Sequence, residues 1–214
     1  IAEQLGCVWK LEKLCRNKAL KAAVEKPEKV KLFLNVDGNI IQDKAFIQGF
    51  TNRKAMKAGV PASDIVFEIT ERSDIENYQI LQQIMKHYAD QGYEIALDDV
   101  GAGHSGLNRV VNTTPDYLKA DIELVRDIYK YKKKEIMMKL LLDYCNATGA
   151  ILIAEGIETV QELECLHSLG VHYGQGFFLG KPERAFGNIS AESEEILERL
   201  NGRKNILFLD ISGK

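Results

Sequence analysis

Asp98 and Asp99 close the run Tyr93-Glu-Ile-Ala-Leu-Asp-Asp99. Two adjacent carboxylates at the end of an apolar strand cost solvation energy unless a cation neutralises them, and a divalent metal is the usual neutraliser. The same arrangement repeats along the chain. Asn35 ends Val30-Lys-Leu-Phe-Leu-Asn35, Glu68 ends Ile65-Val-Phe-Glu68, Lys119 and Asp121 end Tyr117-Leu-Lys-Ala-Asp121, and Glu155 ends Ile151-Leu-Ile-Ala-Glu155. Apolar runs that finish in acids, amides or a lysine describe one polar site at one rim of a sheet, the layout of a hydrolase. Each residue also has a plainer explanation. Asn35 could cap a turn, Glu68 and Glu71 could form a solvated edge that caps a helix, and Lys119 and Asp121 could pair with each other or with neighbours. The glycine-rich segment 101–106 lacks the Gly-Lys-Ser/Thr ending of a phosphate cradle, and its His104 reads as an exposed loop histidine. His87, His167 and His172 have no second histidine at ligand spacing and read as structural.

These residues need strands to present them, and strand-like runs alternate with helical ones. Helical spacing covers residues 5–24, stopped by Lys26-Pro27, and a strand follows over 30–36. A helix over 46–59, ended by Gly59 and Pro61, leads to a strand over 65–70. The next helix covers 75–91, with Ser73 or Asp74 as cap and Gly92 as stop. Strand 93–97, a short helix at 107–111, strand 117–120 and one helical region over 122–148 come next. Strand 151–154, helix 159–169 and a glycine-punctuated segment at 172–180 complete the alternation. Such alternation implies parallel β/α units, an α/β fold, and a β/α barrel keeps its active site at the carboxyl ends of its strands. Residues 191–200 read as an amphipathic helix. Residues 204–210 then read as a buried strand, which either packs on the surface or covers an exposed sheet edge.

Global composition permits this without selecting it. A 214-residue chain with 45% hydrophobic and 28% charged residues is long enough for one well-cored globular domain. A net charge of −3 supplies no basic field, so duplex nucleic acid is not an expected partner and an anionic substrate needs local cations. No apolar run reaches membrane-spanning length and no signal peptide is visible at Ile1. The four cysteines, Cys7, Cys15, Cys145 and Cys165, lack CxxC spacing and fall in helical patterns. Buried reduced thiols are expected, which points to a reducing cytoplasm.

Taken in order, Asn35-Val36, Glu68-Ile-Thr-Glu71, Asp98-Asp-Val-Gly-Ala-Gly103, Leu118-Lys-Ala-Asp121, Ala154-Glu-Gly-Ile-Glu158 and Gln175-Gly176 resemble the EAL domain family of cyclic di-GMP phosphodiesterases, over about residues 1–182. The resemblance implies a modified TIM-type (β/α) barrel over 1–187, followed by a helix and strand-like tail over 188–214. It implies a two-metal site for Mg²⁺ or Mn²⁺, with Asn35, Glu68 and Asp98 as ligands of a first ion and Asp99 as a ligand of the second. It implies Lys119 as holder of the attacking water, Glu155 as general base and Glu71 as anchor of the loop after Asp99. Asp121, Glu158 and Gln175 are implied as further site residues.

The chain also departs from that pattern. Val100 stands where the family usually has Phe, the segment 101–106 differs from the usual GTGYSSL, and no Glu-Ala-Leu occurs anywhere. The family carries that motif on a strand upstream of Ala2-Glu3, so the barrel is expected to be incomplete at its amino end here. The chain is expected to derive from a longer protein with a sensor or GGDEF-type domain before it. The implied partners are cyclic di-GMP and a second copy in a homodimer. The expected location is the cytoplasm, with room for a membrane tether upstream. Two functions of different class follow. One is metal-dependent hydrolysis of cyclic di-GMP to linear pGpG. The other is a degenerate module that binds the nucleotide or a protein partner without turnover, or an inactive fragment lacking the EAL glutamate.

Overall fold

A computed structural model of the chain describes residues 2, 4–70, 78–101, 106–182, 186 and 189–201, and divides it into two compact units between Leu97 and Asp98. The first unit contains α1 (Val8–Ala22), β1 (Leu32–Val36), α2 (Phe50–Ala58), β2 (Ile65–Ile69), α3 (Tyr78–Ala89) and the start of β3 (Glu94–Val100). Its strands run parallel in the order β1-β2-β3, with Asn35 opposite Glu68 and Glu68 opposite Ala96. All five residues of β2 are buried. A parallel strand paired on both edges and buried along its whole length demands such a run of Ile, Val and Phe, and Glu68 is the exception within it.

Helix α1 buries Trp9, Glu12, Arg16 and Leu20, spaced to share one face. Two of those four are charged, and they satisfy each other. The Arg16 guanidinium pairs with Glu12, donates to Thr51 Oγ1 at 3.1 Å and to the Tyr88 hydroxyl at 3.2 Å. It also lies 5.1 Å from the Phe67 ring centroid and 5.3 Å from that of Trp9, an aromatic setting suited to a weakly hydrated cation. Glu12 Oε1 accepts from the backbone N–H of Asp37 at 2.7 Å, just after β1. Burial still pushes the Glu12 carboxyl above its usual value, against the opposing pull of Arg16. Trp9 meets Phe46 and Phe50 edge-on, with centroids 4.9 and 5.5 Å away.

The second unit starts with the end of β3 and continues through α4 (Gly106–Asn112), β4 (Tyr117–Ala120), α5 (Ile122–Val125), α6 (Lys132–Thr148), β5 (Ile151–Ala154), α7 (Val160–Leu169), β6 (Tyr173–Gly174) and α8 (Ala191–Asn201). Strand β4 lies between the end of β3 and β5, and β5 pairs with β6. The β4–β5 and β5–β6 pairs are parallel, with Lys119 opposite Ile153 and Ala154 opposite Gly174. Leu118, Ile128, Met138, Cys145, Leu152 and Ile157 form its core. Helix α8 is tied to this unit by Ser193, whose hydroxyl donates to Phe178 O at 2.7 Å, and by the buried Leu197.

Three expectations need correction. Strand β3 continues through Asp98 and Asp99 to Val100 instead of stopping at Leu97, because the ladder goes on: Asp121 N donates to Val100 O at 3.1 Å. The helical region expected over 122–148 is broken at Asp127, which takes a left-handed φ of 56° and separates the short α5 from α6. All four thiols are free, but only Cys145 is fully buried, and Cys15 is exposed on α1. Glu71, His104, the caps expected at Ser73 or Asp74 and the strand expected over 204–210 lie outside the described residues. Among the described residues, no helix is long and apolar enough to cross a membrane.

Candidate active site

In the second unit, β4 carries Lys119 into a polar cluster. Only 4% of this residue is exposed, and its Nζ lies 3.2 Å from Asp98 Oδ1 and 2.6 Å from Glu155 Oε1. Asp98, Asp99 and Glu155 each bring one carboxylate oxygen within 4.8 Å of the others. Sheet register explains the grouping of Lys119 with Glu155. Glu155 N donates to Ala120 O at 3.0 Å, so the residue after β5 is drawn beside the end of β4.

Asp98 and Asp99 need a further reason, since successive side chains on a regular strand face opposite sides. Asp99 adopts a left-handed φ of 57°. That turn of the backbone breaks the alternation and lets two consecutive carboxylates enter one cluster. Aspartate tolerates this conformation better than most non-glycine residues, and such strain concentrates at functional sites.

The turn after Glu155 is fixed by two glycines. Gly156 takes φ 71°, and a Cβ there would overlap the Ile122 side chain. At Gly176 a Cβ would overlap the backbone N and O of Ile157. That close approach permits Ile157 N to donate to Gln175 O at 3.0 Å and Phe178 N to Ile157 O at 3.0 Å. The turn is thus stitched to the segment after β6.

The donor set suits a hard divalent cation. Metal–oxygen bonds of about 2.0–2.6 Å place ligands on opposite sides of an ion about 4–5 Å apart, matching the spread of the three carboxylates. Three carboxylates against one ammonium leave these four groups with an excess of negative charge. Asp98 Oδ1 is buried and has Lys119 at ion-pair distance, yet among the described residues no donor meets it in hydrogen-bond geometry. A buried carboxylate oxygen in that state calls for a cation.

In the first unit, Asn35 and Glu68 are register partners at the ends of β1 and β2. Asn35 is exposed, whereas Glu68 is 5% exposed. Asp121 is buried and caps α5, its carboxylate accepting from Glu123 N at 2.7 Å, which is local capping work. Glu158 is exposed and faces Arg126 Nη2 at 3.4 Å. Gln175 joins the ladder through its backbone, donating to Ala154 O at 2.8 Å. Sequence reasoning missed Glu162. Its only local signal is the spacing Thr159-x-x-Glu162, a capping box at the start of α7.

Residues 1–182 match the EAL domain family. Among curated proteins, the cyclic di-GMP phosphodiesterase PdeB of Shewanella oneidensis is 25% identical over 70% of this chain and 17% of its own length. PdeF of Escherichia coli, also a cyclic di-GMP phosphodiesterase, is 29% identical over 66% of this chain and 19% of its own. The chain therefore spans under a fifth of the length of these two relatives. Among solved structures, a standalone EAL protein of Vibrio cholerae in its c-di-GMP-bound form is 26% identical, with a TM-score of 0.77 over 86% of this chain and 78% of that one. BlrP1 of Klebsiella pneumoniae, as a manganese/cyclic di-GMP complex, is 28% identical, with a TM-score of 0.76 over 81% of this chain and 45% of that one.

Proposed function

The chain belongs to the EAL domain family, and from that premise we propose that it is the phosphodiesterase part of a longer signalling protein, hydrolysing cyclic di-GMP to linear pGpG with Mg²⁺ or Mn²⁺. The observation that carries this reading is Lys119 Nζ flanked by Asp98 and Glu155 within a cluster of three carboxylates. Asp98 and Asp99 would hold metal in the second unit. Asn35 and Glu68 are assigned as metal ligands on the family resemblance. Bound as a pair, the ions would lower the pKa of the attacking water and stabilise charge on the phosphodiester.

The remaining roles belong to the chain itself. Glu155 is the proposed general base, a half-buried carboxylate that takes the proton from water as it attacks phosphorus. Lys119 orients Glu155 through the 2.6 Å contact and places a positive charge where the phosphoryl oxygens gain negative charge. Glu71 as loop anchor, and Glu158 and Gln175 as contacts to the nucleotide, complete the proposal. A second copy in a homodimer and an upstream sensor or GGDEF-type domain are its proposed partners.

The test is to incubate the chain with cyclic di-GMP and Mn²⁺ or Mg²⁺ and to separate the products by chromatography. Linear pGpG should form and should stop forming when EDTA is added. Nucleotide binding with no linear product in either metal, for this chain and for the longer protein that contains it, would replace this reading with the degenerate binding module. Turnover by the longer protein alone would mark this chain as the inactive fragment lacking the EAL glutamate.

A further inference from the structure

Glu162 is a carboxylate with no assigned role, buried to 3% exposure on the first turn of α7. Its Oε2 accepts from the backbone N–H groups of Glu158 and Thr159 at 2.9 and 3.0 Å. Its Oε1 accepts from the backbone N–H of Asp127 at 2.8 Å. The first pair is a helix cap. The third bond is something else, because Asp127 is 35 residues away in the chain and sits at the left-handed break between α5 and α6.

The two segments so joined are the connections that leave β4 and β5. One runs from Lys119 through Asp121 and α5 to Asp127. The other runs from Glu155 through Gly156 to Thr159 and α7. Two more contacts tie them: Ile122 fills the space beside Gly156, and Arg126 meets Glu158 at the surface. The ladder bond from Glu155 N to Ala120 O joins the roots of the two connections at the sheet. Of the three ties beyond it, the Glu162 bond is the one that is polar and made by a buried carboxylate, so past the sheet it fixes direction as well as distance. We propose that Glu162 is a positioning residue for Glu155, clamping the β5–α7 turn to the segment after α5 so that the Glu155 carboxylate is held at Lys119. This rests on the phosphodiesterase reading only for the consequence to turnover; the clamp itself does not require it.

The chemistry of the side chain makes the inference testable. A carboxylate can face three N–H donors on two sides. An amide has one oxygen, so in Glu162→Gln the oxygen can keep the cap at Glu158 and Thr159, while the NH₂ group then points at the Asp127 N–H and repels it. The substitution therefore spares the capping box and breaks the clamp. Misplacing a catalytic group by a fraction of an ångström to 1 Å costs about 10- to 100-fold in rate.

The experiment compares Glu162→Gln with the unsubstituted chain and with Thr159→Ala, which removes the hydroxyl cap and leaves the clamp. The expected result is a fall in kcat of about 10- to 100-fold for Glu162→Gln, with KM for cyclic di-GMP within about twofold and a displaced pH–kcat profile. Thr159→Ala should lower the melting temperature and keep kcat. An unchanged kcat and pH profile in folded Glu162→Gln, or a loss of rate matched by Thr159→Ala, overturns the proposal. A second readout needs no turnover: the separation of Lys119 Nζ and Glu155 Oε1 in a crystal structure of Glu162→Gln. If the intact protein does not hydrolyse cyclic di-GMP, the phosphodiesterase reading fails, and this distance still decides the clamp. A pair parted by Glu162→Gln supports it and an unmoved pair rejects it. Should Glu162→Gln fail to fold, Glu162→Asp, which withdraws both oxygens by one methylene, is read against the same two outcomes.

Discussion

Lys119 Nζ stands 2.6 Å from Glu155 Oε1, and this ion pair bridges the ends of two neighbouring strands, β4 and β5. The lysine lies within β4, paired in register with Ile153 of β5, so its backbone is held by the sheet. The glutamate is one residue past β5, on a turn held by Gly156 and Gly176. A rigid cation therefore faces a base whose placement depends on loop geometry.

Replacing that base is the most direct test of the chemistry. Glu155→Gln keeps size and hydrogen-bonding capacity but cannot take up a proton, and loss of a positioned base costs about 10²–10⁴ in rate. Lys119 retains Asp98 as a partner, so the fold should persist. Cyclic di-GMP should bind with an affinity within a few-fold of the unsubstituted chain, measured by calorimetry, while hydrolysis drops to near background. Turnover equal to the unsubstituted chain would remove Glu155 from the role.

Asp98→Asn probes the cation. The change removes one negative charge from a cluster whose Asp98 Oδ1 has, among the described residues, Lys119 at ion-pair distance but no donor in hydrogen-bond geometry. Affinity for Mn²⁺, titrated alone by calorimetry, should fall by about tenfold or more, which corresponds to about 1.4 kcal/mol. Equal Mn²⁺ affinity in the two proteins would sink the assignment of this cluster as the metal site.

The two glycines Gly149 and Gly176 separate strain from overlap. Gly149 ends α6 at φ 81° with open space where a Cβ would go, so Gly149→Ala should cost only the left-handed penalty of about 1–2 kcal/mol. Gly176→Ala drives a methyl group into the Ile157 backbone and should cost more, with loss of activity, because the turn bearing Glu155 must move. Urea denaturation of both variants checks the order. Equal destabilisation would show that the turn yields freely.

His172 makes stability depend on pH. Its Nδ1 accepts from the backbone N–H of Leu152 at 3.0 Å, and burial holds its pKa below the ordinary value near 6.5. The unfolded chain therefore takes up the proton first, and stability falls as pH drops through about 6.5 toward the lower folded value. Below that value the loss is complete. His87 is depressed by burial in the same sense, so the comparison must be with His172→Gln, whose amide oxygen can still accept from Leu152. Between pH 7.5 and 5.5 the melting temperature should fall less for His172→Gln than for the unsubstituted chain. Parallel curves would dismiss His172 as a contributor.

Much of the fold could be read in advance because its strands are short, apolar and closed by polar residues. Strands β4 and β5 were legible to the residue, since Pro115 and Gly149 punctuate them and nothing distant alters their ends. Strand β3 was not. The polarity of Asp98 and Asp99 argues locally for a strand end, but pairing with the segment at Asp121 carries the ladder to Val100. The break at Asp127 was hidden for a related reason. Its left-handed backbone is matched to an acceptor on Glu162, 35 residues later, and helical periodicity holds no trace of such a partner. In the site, the lysine and the acids announced themselves as polar ends of apolar runs. Glu162 did not, because its local pattern is fully explained as a helix cap.

The left-handed backbone at Asp99 has an evolutionary consequence. Glycine, asparagine and aspartate adopt that conformation readily, whereas branched residues do not. The set of residues this position can explore without disturbing the sheet is therefore narrow, and aspartate alone in it carries charge. One step to asparagine keeps the backbone and erases a carboxylate from the cluster. A lineage built on this scaffold can thus shed chemistry at Asp99 while keeping its architecture. If the proposed hydrolysis holds, the passage from an enzyme to a receptor for the same nucleotide then lies a single substitution away.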